Sequence, residues 1–416
     1  MNNNQSPREL IGQPFTLPCG QTIKNRLMKS AMSEALGTAD NHMTPGLVTL
    51  YDRWSRSGAG LLVTGNIMVD RRALGEPYNV AVEDEDDMDL LRAWARAGTQ
   101  NGTQLWAQLN HPGKQVPKGL NSEAVGPSAI PFEPSLRPFF ETPRELTDKE
   151  IQNIIERFGR SAEILKKAGF TGVQIHAAHG YLISQFLSPR HNQRGDIWGG
   201  NPENRRRFAV EVYRRVRAIV GPDFPVAFKL NSADFQRGGF TEEESLAVIQ
   251  TLVDEGVDLV EISGGNYEAP AMSGRRAPDS TLAREAYFLE FAANVRSLIK
   301  VPLAVTGGFR TAGAMAAALA EGHLDMIGLA RPLAVDPEYG TRILAGQPPT
   351  VTIRPISTGI KAVDRMALME VAWYSRQLRR MASGQDPEPN ESGLASFVKT
   401  ILTSGYRTFK TRRLRA

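Results

Sequence analysis

The sequence predicts an α/β protein folded as a (β/α)8 TIM barrel, and three observations carry that expectation. Eight short apolar runs rich in Val, Ile and Leu recur along the chain, separated by longer stretches with helical spacing. Several of the helical stretches open on a capping residue and close on glycine. A doubly wound fold would share the alternation, but no GxGxxG run follows an early strand.

The strands are expected at Arg26–Ser33, Gly60–Val69, Thr103–Asn110, Gly172–Ala177, Val226–Asn231, Leu259–Ser263, Pro302–Thr306 and Met326–Leu329. A helix over Thr147–Ala168 opens on Thr147-Asp148-Lys149-Glu150, the pattern of a capping box. A second, over Asn201–Val220, has Asn201 as its cap, Pro202 at the first helical position and Glu203 near the positive end of the dipole. A third runs from Thr241 to Glu255 and is closed by Gly256. A fourth runs from Thr311 to Glu321 and is closed by Gly322.

Two segments exceed a bare barrel. His111–Pro143 is a long connection with seven prolines and the aromatics Phe132, Phe139 and Phe140. Its place after the third strand predicts a lid over the barrel mouth. Beyond about Pro349 comes a helical pattern over Val363–Met381, a polar stretch over Ser383–Ser392 and a basic tail. The expected division is therefore a barrel over residues 1–349 and an extension over residues 350–416.

Composition narrows the function. One cysteine, Cys19, rules out a disulfide framework and any cluster needing four thiolates. The net charge is +4, but Gly393–Ala416 holds six Lys/Arg and no acid, so the remainder is near neutral and a nucleic-acid partner is not expected. The tail admits two readings: contact with an anionic membrane, or a solvated or packed end. The first residues form no apolar signal region and no apolar run spans a bilayer, which predicts a cytoplasmic protein. Homo-oligomerisation is left open.

The chemistry is concentrated in Val173-Gln174-Ile175-His176-Ala177-Ala178-His179-Gly180-Tyr181-Leu182. A buried strand delivers two imidazoles and a phenol to its C-terminal end, where parallel α/β proteins do chemistry. Two imidazole N–H groups suit a carbonyl oxygen and a phenol can release a proton. Structural histidines and a metal site are the alternatives, although no HExxH frame is present. Other strand ends offer Ser33, Gln108 and Lys229; a lysine inside an apolar strand needs an anion or a task. The seventh strand leads into Gly307-Gly308-Phe309 and the eighth into Ala330-Arg331, where barrels often bind phosphate.

The run from His176 to Pro189, continuing through Asn192, Arg194, Asp196, Trp198-Gly199-Gly200 and Pro202–Phe208, resembles the Old Yellow Enzyme family of FMN-dependent ene-reductases. The resemblance extends over roughly Leu10 to Ala345. It implies FMN as cofactor, NADPH or NADH as transient hydride donor and a small-molecule activated alkene as substrate. It implies that His176 and His179 bind the substrate carbonyl oxygen and that Tyr181 protonates the α-carbon. Gln108 would bond the flavin pyrimidine edge, Lys229 would sit beside N1 and O2, and Ser33 near O4. Gly307, Gly308, Phe309, Ala330 and Arg331 would hold the phosphate. The chain departs from the family at Ser33, where Thr or Cys is usual, at Lys229, where Arg is usual, and at Ala330, where Gly is common. Two rival readings remain at this point: a Schiff-base lyase using Lys229, and a flavin-binding scaffold without turnover.

Overall fold

The computed structural model describes residues 5–269, 285–348, 353, 356–360, 368–399 and 402. Eight parallel strands close into a barrel: β1 (Leu27–Lys29), β2 (Leu61–Met68), β3 (Gln104–Asn110), β4 (Gly172–Ala177), β5 (Val226–Asn231), β6 (Leu259–Ser263), β7 (Leu303–Thr306) and β8 (Met326–Leu329). Each strand pairs with its neighbour in sequence, and β8 pairs with β1 through Ile327↔Leu27 to Leu329↔Lys29, which completes the ring. The outer layer includes α1 (Pro45–Ser55), α2 (Met88–Gly98), α3 (Asp148–Ala168), α4 (Pro202–Val220), α5 (Glu242–Asp254), α6 (Leu289–Leu298) and α7 (Ala312–Ala320).

The two-residue period of a strand explains the layering. Outward residues such as Leu105, Ile175, Phe228, Ile262, Val305 and Ile327 join the main core beneath the helices. Inward residues near the strand starts are also apolar. Met28, Leu61, Val63, Trp106, Ala227, Leu259, Ala304 and Met326 form a second cluster, joined by Leu17 and Ile23 of an N-terminal hairpin. Two residues further along the same strands the inward positions turn polar: Ser30, Gln108, Lys229, Glu261 and Thr306, all buried except the half-buried Thr306. A dry floor thus supports a polar upper layer.

The four expected helix caps are present. The side chains of Thr147, Asn201, Thr241 and Thr311 accept the backbone N–H of Glu150, Asn204, Glu244 and Ala314. Gly169 ends α3 at φ +99°, a left-handed conformation that glycine takes without a Cβ penalty.

The first strand is the correction. It stops at Lys29 instead of reaching Ser33. The Ser30 N–H still donates to the Leu329 carbonyl at 2.9 Å, after which the chain leaves the ladder. Across from it, the pairing of β2 with β3 shifts register between Val63 and Asn66, and the Glu34 carboxylate accepts the Gly65 N–H at 3.1 Å. Ser33 therefore lies in a loop. The expected helix over Val363–Met381 is described from Leu368, as α8 (Leu368–Ala382). Residues 363–367 and the basic tail from residue 403 lie outside the described residues. Among the described residues no helix is long and apolar enough to cross a membrane.

The caps give a direct test of this local reading. Thr147→Ala is expected to lower stability by about 1 kcal/mol through one lost cap. Urea denaturation should show a lower midpoint; an unchanged midpoint would mean the cap adds nothing to the fold.

Candidate active site

The end of β4 gathers the three predicted rings. His176 and His179 have ring centroids 5.1 Å apart, and His176 lies 4.8 Å from the Tyr181 ring. His176 is the fifth residue of β4, in register with Lys229 of β5. His179 adopts φ +61°, a strained conformation for a side chain of this size. The turn is over-determined: the His179 N–H donates to Asn231 Oδ1 at 3.1 Å, and its carbonyl accepts from Gln115 Nε2 at 3.0 Å.

The proton positions follow from the partners. The Ala178 N–H donates to His176 Nδ1 at 3.2 Å, so a neutral His176 carries its proton on Nε2. His179 Nε2 lies 2.7 Å from Ser263 Oγ. Burial, and then the positive charge of Lys229, hold the His179 imidazole well below its usual range. His176 is lowered in the same way by burial, then by His179 and Lys229. Burial pushes the Tyr181 phenol up to about 12. The site therefore presents neutral rings with N–H donors and a protonated phenol at neutral pH.

Below these rings lies a connected polar network. Lys229 Nζ is 2.8 Å from Glu261 Oε1. Glu261 also accepts from Gln174 Nε2 at 2.7 Å and from Thr306 Oγ1 at 2.6 Å. Gln108 Nε2 donates to Gln174 Oε1 at 2.7 Å, and Ser30 Oγ meets Thr306 Oγ1 at 2.6 Å. Gly328 makes the last link sterically feasible, because a Cβ there would collide with Thr306 Oγ1.

The remaining predicted residues sit at the strand ends but with protein partners. Gly307 and Gly308 have φ +124° and +100°, and Phe309 is buried. The neighbouring Arg310 and Thr311 N–H groups donate to Glu285 Oε2 at 2.7 and 3.0 Å. Ala330 caps a short helix, Arg331–Val335, and Arg331 Nη1 contacts Glu370 Oε1 of α8 at 3.1 Å. Ser33 Oγ donates to Glu76, and its carbonyl accepts from Ser375 Oγ of α8 at 2.8 Å.

Among the described residues no group of three or more His, Cys, Asp or Glu could hold a metal ion, so the metal alternative gains no support. The donor set fits FMN instead. Gln108 offers an amide edge and Lys229 a buried cation, while the glycine pair leaves backbone without a Cβ and Arg331 stands in the next loop. The fully buried Asn110, two residues beyond Gln108, has neither side-chain polar atom satisfied by protein, and Asn66 Oδ1 is likewise unpartnered. Buried polar atoms left this way want a ligand or water.

Sequence reasoning missed Glu261, Gln174, Ser263, Asn66 and Tyr267. Glu261 had a readable signal: it is a lone carboxylate inside Leu259-Val260-Glu261-Ile262, as anomalous in its apolar strand as Lys229, its register partner on the adjacent strand. Tyr267 had none, since it follows the strand in an irregular segment. Its hydroxyl lies 3.2 Å from that of Tyr181.

A family model for NADH:flavin oxidoreductases and NADH oxidases matches residues 11–349. A relative from Hypocrea jecorina, the NADH-dependent flavin oxidoreductase iliE, is 39% identical over 348 residues, covering 78% of this chain and 86% of its own. The Talaromyces variabilis protein iccE, of the same description, is 36% identical over 410 residues, covering 89% and 98%. Against the Neonectria iliE protein the identity is 37%, and the match spans 78% of this chain but 46% of that one. Among solved structures, a 2-naphthoyl-CoA reductase complex gives a TM-score of 0.76 at 25% identity, covering 89% and 58%. An old yellow enzyme homologue from Zymomonas mobilis gives 0.70 at 25% identity, covering 82% and 94%.

The neutral histidines predict an acid sensitivity. Burial lowers His111 to about 4 and His191 to about 3, and lowers His176 and His179 as well. Unfolding returns each to about 6.5, so the unfolded chain binds protons that the fold refuses. Stability is then full above about pH 6.5 and falls as pH drops below it, by up to ~1.4 kcal/mol per pH unit for each histidine. Urea midpoints at about pH 7.5 and about pH 5.5 should show the loss; equal midpoints would mean these rings are charged in the fold.

Proposed function

The chain belongs to the NADH:flavin oxidoreductase / NADH oxidase family, and on that premise we propose that it reduces the activated C=C bond of an enone-like small molecule with hydride from NADH or NADPH. The observation that supports this reading best is the set His176, His179 and Tyr181: two neutral imidazoles and a protonated phenol in one cluster, with His176 and Tyr181 buried and His179 half-buried. Bound FMN would supply the hydride chemistry that links nicotinamide and alkene. Gln108, Lys229 and Ser33 are the residues proposed to hold its ring. Gly307, Gly308, Phe309, Ala330 and Arg331 are proposed to hold its phosphate.

The chain's own residues then divide the work. His176 Nε2–H and a His179 N–H bind the substrate carbonyl oxygen and stabilise the negative charge that develops there. One such donor is typically worth on the order of 10²–10³ in rate. Tyr181 gives its proton to the α-carbon as general acid. Neutrality of the imidazoles is part of the design: it lets them stay buried without a counter-ion.

The lyase alternative finds less support, because Lys229 Nζ is ion-paired with Glu261 at 2.8 Å. In the same proposal residues 350–416 form a C-terminal extension, of which the described helix α8 packs against the barrel. Helix α8 supplies Glu370 to Arg331 and Ser375 to the Ser33 carbonyl, so the extension touches two proposed flavin residues. The His111–Pro143 segment is proposed as the lid: its Gln115 reaches the His179 carbonyl, and its Phe140 ring lies 6.1 Å from Tyr267. A cytoplasmic location belongs to the proposal as well.

The test separates the two half-reactions. Tyr181→Phe is expected to slow reoxidation by an enone roughly 10²–10⁴-fold while leaving reduction by NAD(P)H nearly intact. Equal damage to both half-reactions would contradict the proton-donor role. His176→Ala combined with His179→Ala is expected to abolish the charge-transfer band with a phenol ligand; a retained band would remove the pair from oxygen binding.

A further inference from the structure

We propose that Tyr267 acts through Tyr181 as a second phenol, donating a hydrogen bond to the Tyr181 oxygen as that oxygen gives up its proton. The inference rests on the reading of Tyr181 as the proton donor. The two hydroxyl oxygens are 3.2 Å apart, and Asn66 Nδ2 donates to the same Tyr181 oxygen at 3.3 Å. When the Tyr181 O–H bond breaks and the α-carbon–H bond forms, the electron pair stays on the phenolate oxygen. That oxygen then faces two donors, and a solvent proton restores it. A hydrogen bond to a charged group is worth more than one to a neutral group, so Tyr267 favours the state after proton transfer over the state before it.

The direction follows from the geometry: once Tyr181 has given up its proton its oxygen can only accept, so in the 3.2 Å pair Tyr267 is then the donor, beside Asn66 Nδ2. Burial raises both phenols, so Tyr267 carries its proton at neutral pH.

The position of Tyr267 is built. Asn266 Oδ1 accepts the N–H of Glu268 and of Ala269, both at 2.9 Å, and Asn266 bridges to His179. On the other side, the Glu268 carboxylate lies 3.8 Å from Lys114 Nζ and 3.7 Å from His191 Nε2, with all three side chains at most 5% exposed. Lys114 Nζ also sits 4.3 Å over the Phe132 ring, and Glu268 Oε1 accepts the Glu133 N–H at 2.8 Å. A buried lysine, histidine and glutamate that no step of the reaction uses thus clamp the residue next to Tyr267.

The test uses the full chain loaded with FMN, reduced anaerobically and mixed with two acceptors. The enone 2-cyclohexenone needs a proton on carbon; ferricyanide takes electrons without one. Tyr267→Phe is expected to slow the enone reaction about 10-fold or more, to leave the ferricyanide reaction unchanged, and to add little in a Tyr181→Phe background. An equal loss with both acceptors, a full further loss on top of Tyr181→Phe, or a wild-type enone rate would each overturn the inference. Should Tyr267→Phe fail to take up FMN, Tyr267→Gln carries the test. Keeping an N–H donor, it should retain most of the enone rate, and an enone-specific collapse in it would overturn the donor role. A wild-type enone rate in Tyr181→Phe would sink the proton-donor reading and this inference together. A slow Tyr181→Phe with a normal Tyr267→Phe would sink this inference alone.

Discussion

The structure depends on one constraint: a lysine and a glutamate buried inside a barrel must satisfy each other. Lys229 and Glu261 are 4% and 0% exposed at the side chain, and they face each other in register across adjacent strands. Taking such charges out of water costs several kcal/mol per ion, and attraction offsets this only when geometry is good and the remaining polar atoms are bonded. Here Gln174 and Thr306 complete the carboxylate, and Gln108 and Ser30 complete those partners in turn. The pair also adds to the charge state of the layer above: burial first, and then the Lys229 charge, keep His179 neutral.

The same logic organises the approaches to the site. Arg331 has Glu370, the N–H groups of Arg310 and Thr311 have Glu285, and Ser33 has Glu76. Three of the groups proposed to meet the cofactor, Ser33, Lys229 and Arg331, already hold a carboxylate of the chain. A preassembled polar site of this kind keeps its donors oriented and limits the cost of leaving them buried. A second buried cluster, Lys29 with Glu34 and Tyr51, repeats the pattern between β1 and α1, where Lys29 also donates to the Val63 carbonyl at 2.7 Å. That cluster holds the loop carrying Ser33 where β1 ends.

Much of this was legible in the sequence, for identifiable reasons. The strands β4, β5 and β6 fell on Gly172–Ala177, Val226–Asn231 and Leu259–Ser263 because parallel strands covered on both faces read as apolar runs bounded by turn residues. Helix starts were legible wherever a side chain caps the helix, as at Thr147 and Asn201. Helices α1, α2 and α6 have no side-chain cap and were not singled out. The end of β1 was misread because Ala31-Met32-Ser33 continues an acceptable strand pattern, while the register shift in β2 that ends the pairing is a property of the neighbouring strand. His176, His179 and Tyr181 were found because local spacing places them together. Tyr267 was not, because its partner Tyr181 is 86 residues away and only the closed barrel brings the loops after β4 and β6 into contact.

The central claim is that this barrel runs both halves of a hydride transfer, from nicotinamide to an electron-poor alkene. The most direct measurement is an anaerobic absorbance scan of the FMN-loaded protein, before and after NADPH and then after 2-cyclohexenone. The account predicts a yellow protein that bleaches with the nicotinamide and recolours with the enone. A protein that takes up no FMN, or one that bleaches and stays colourless with the enone, would contradict it.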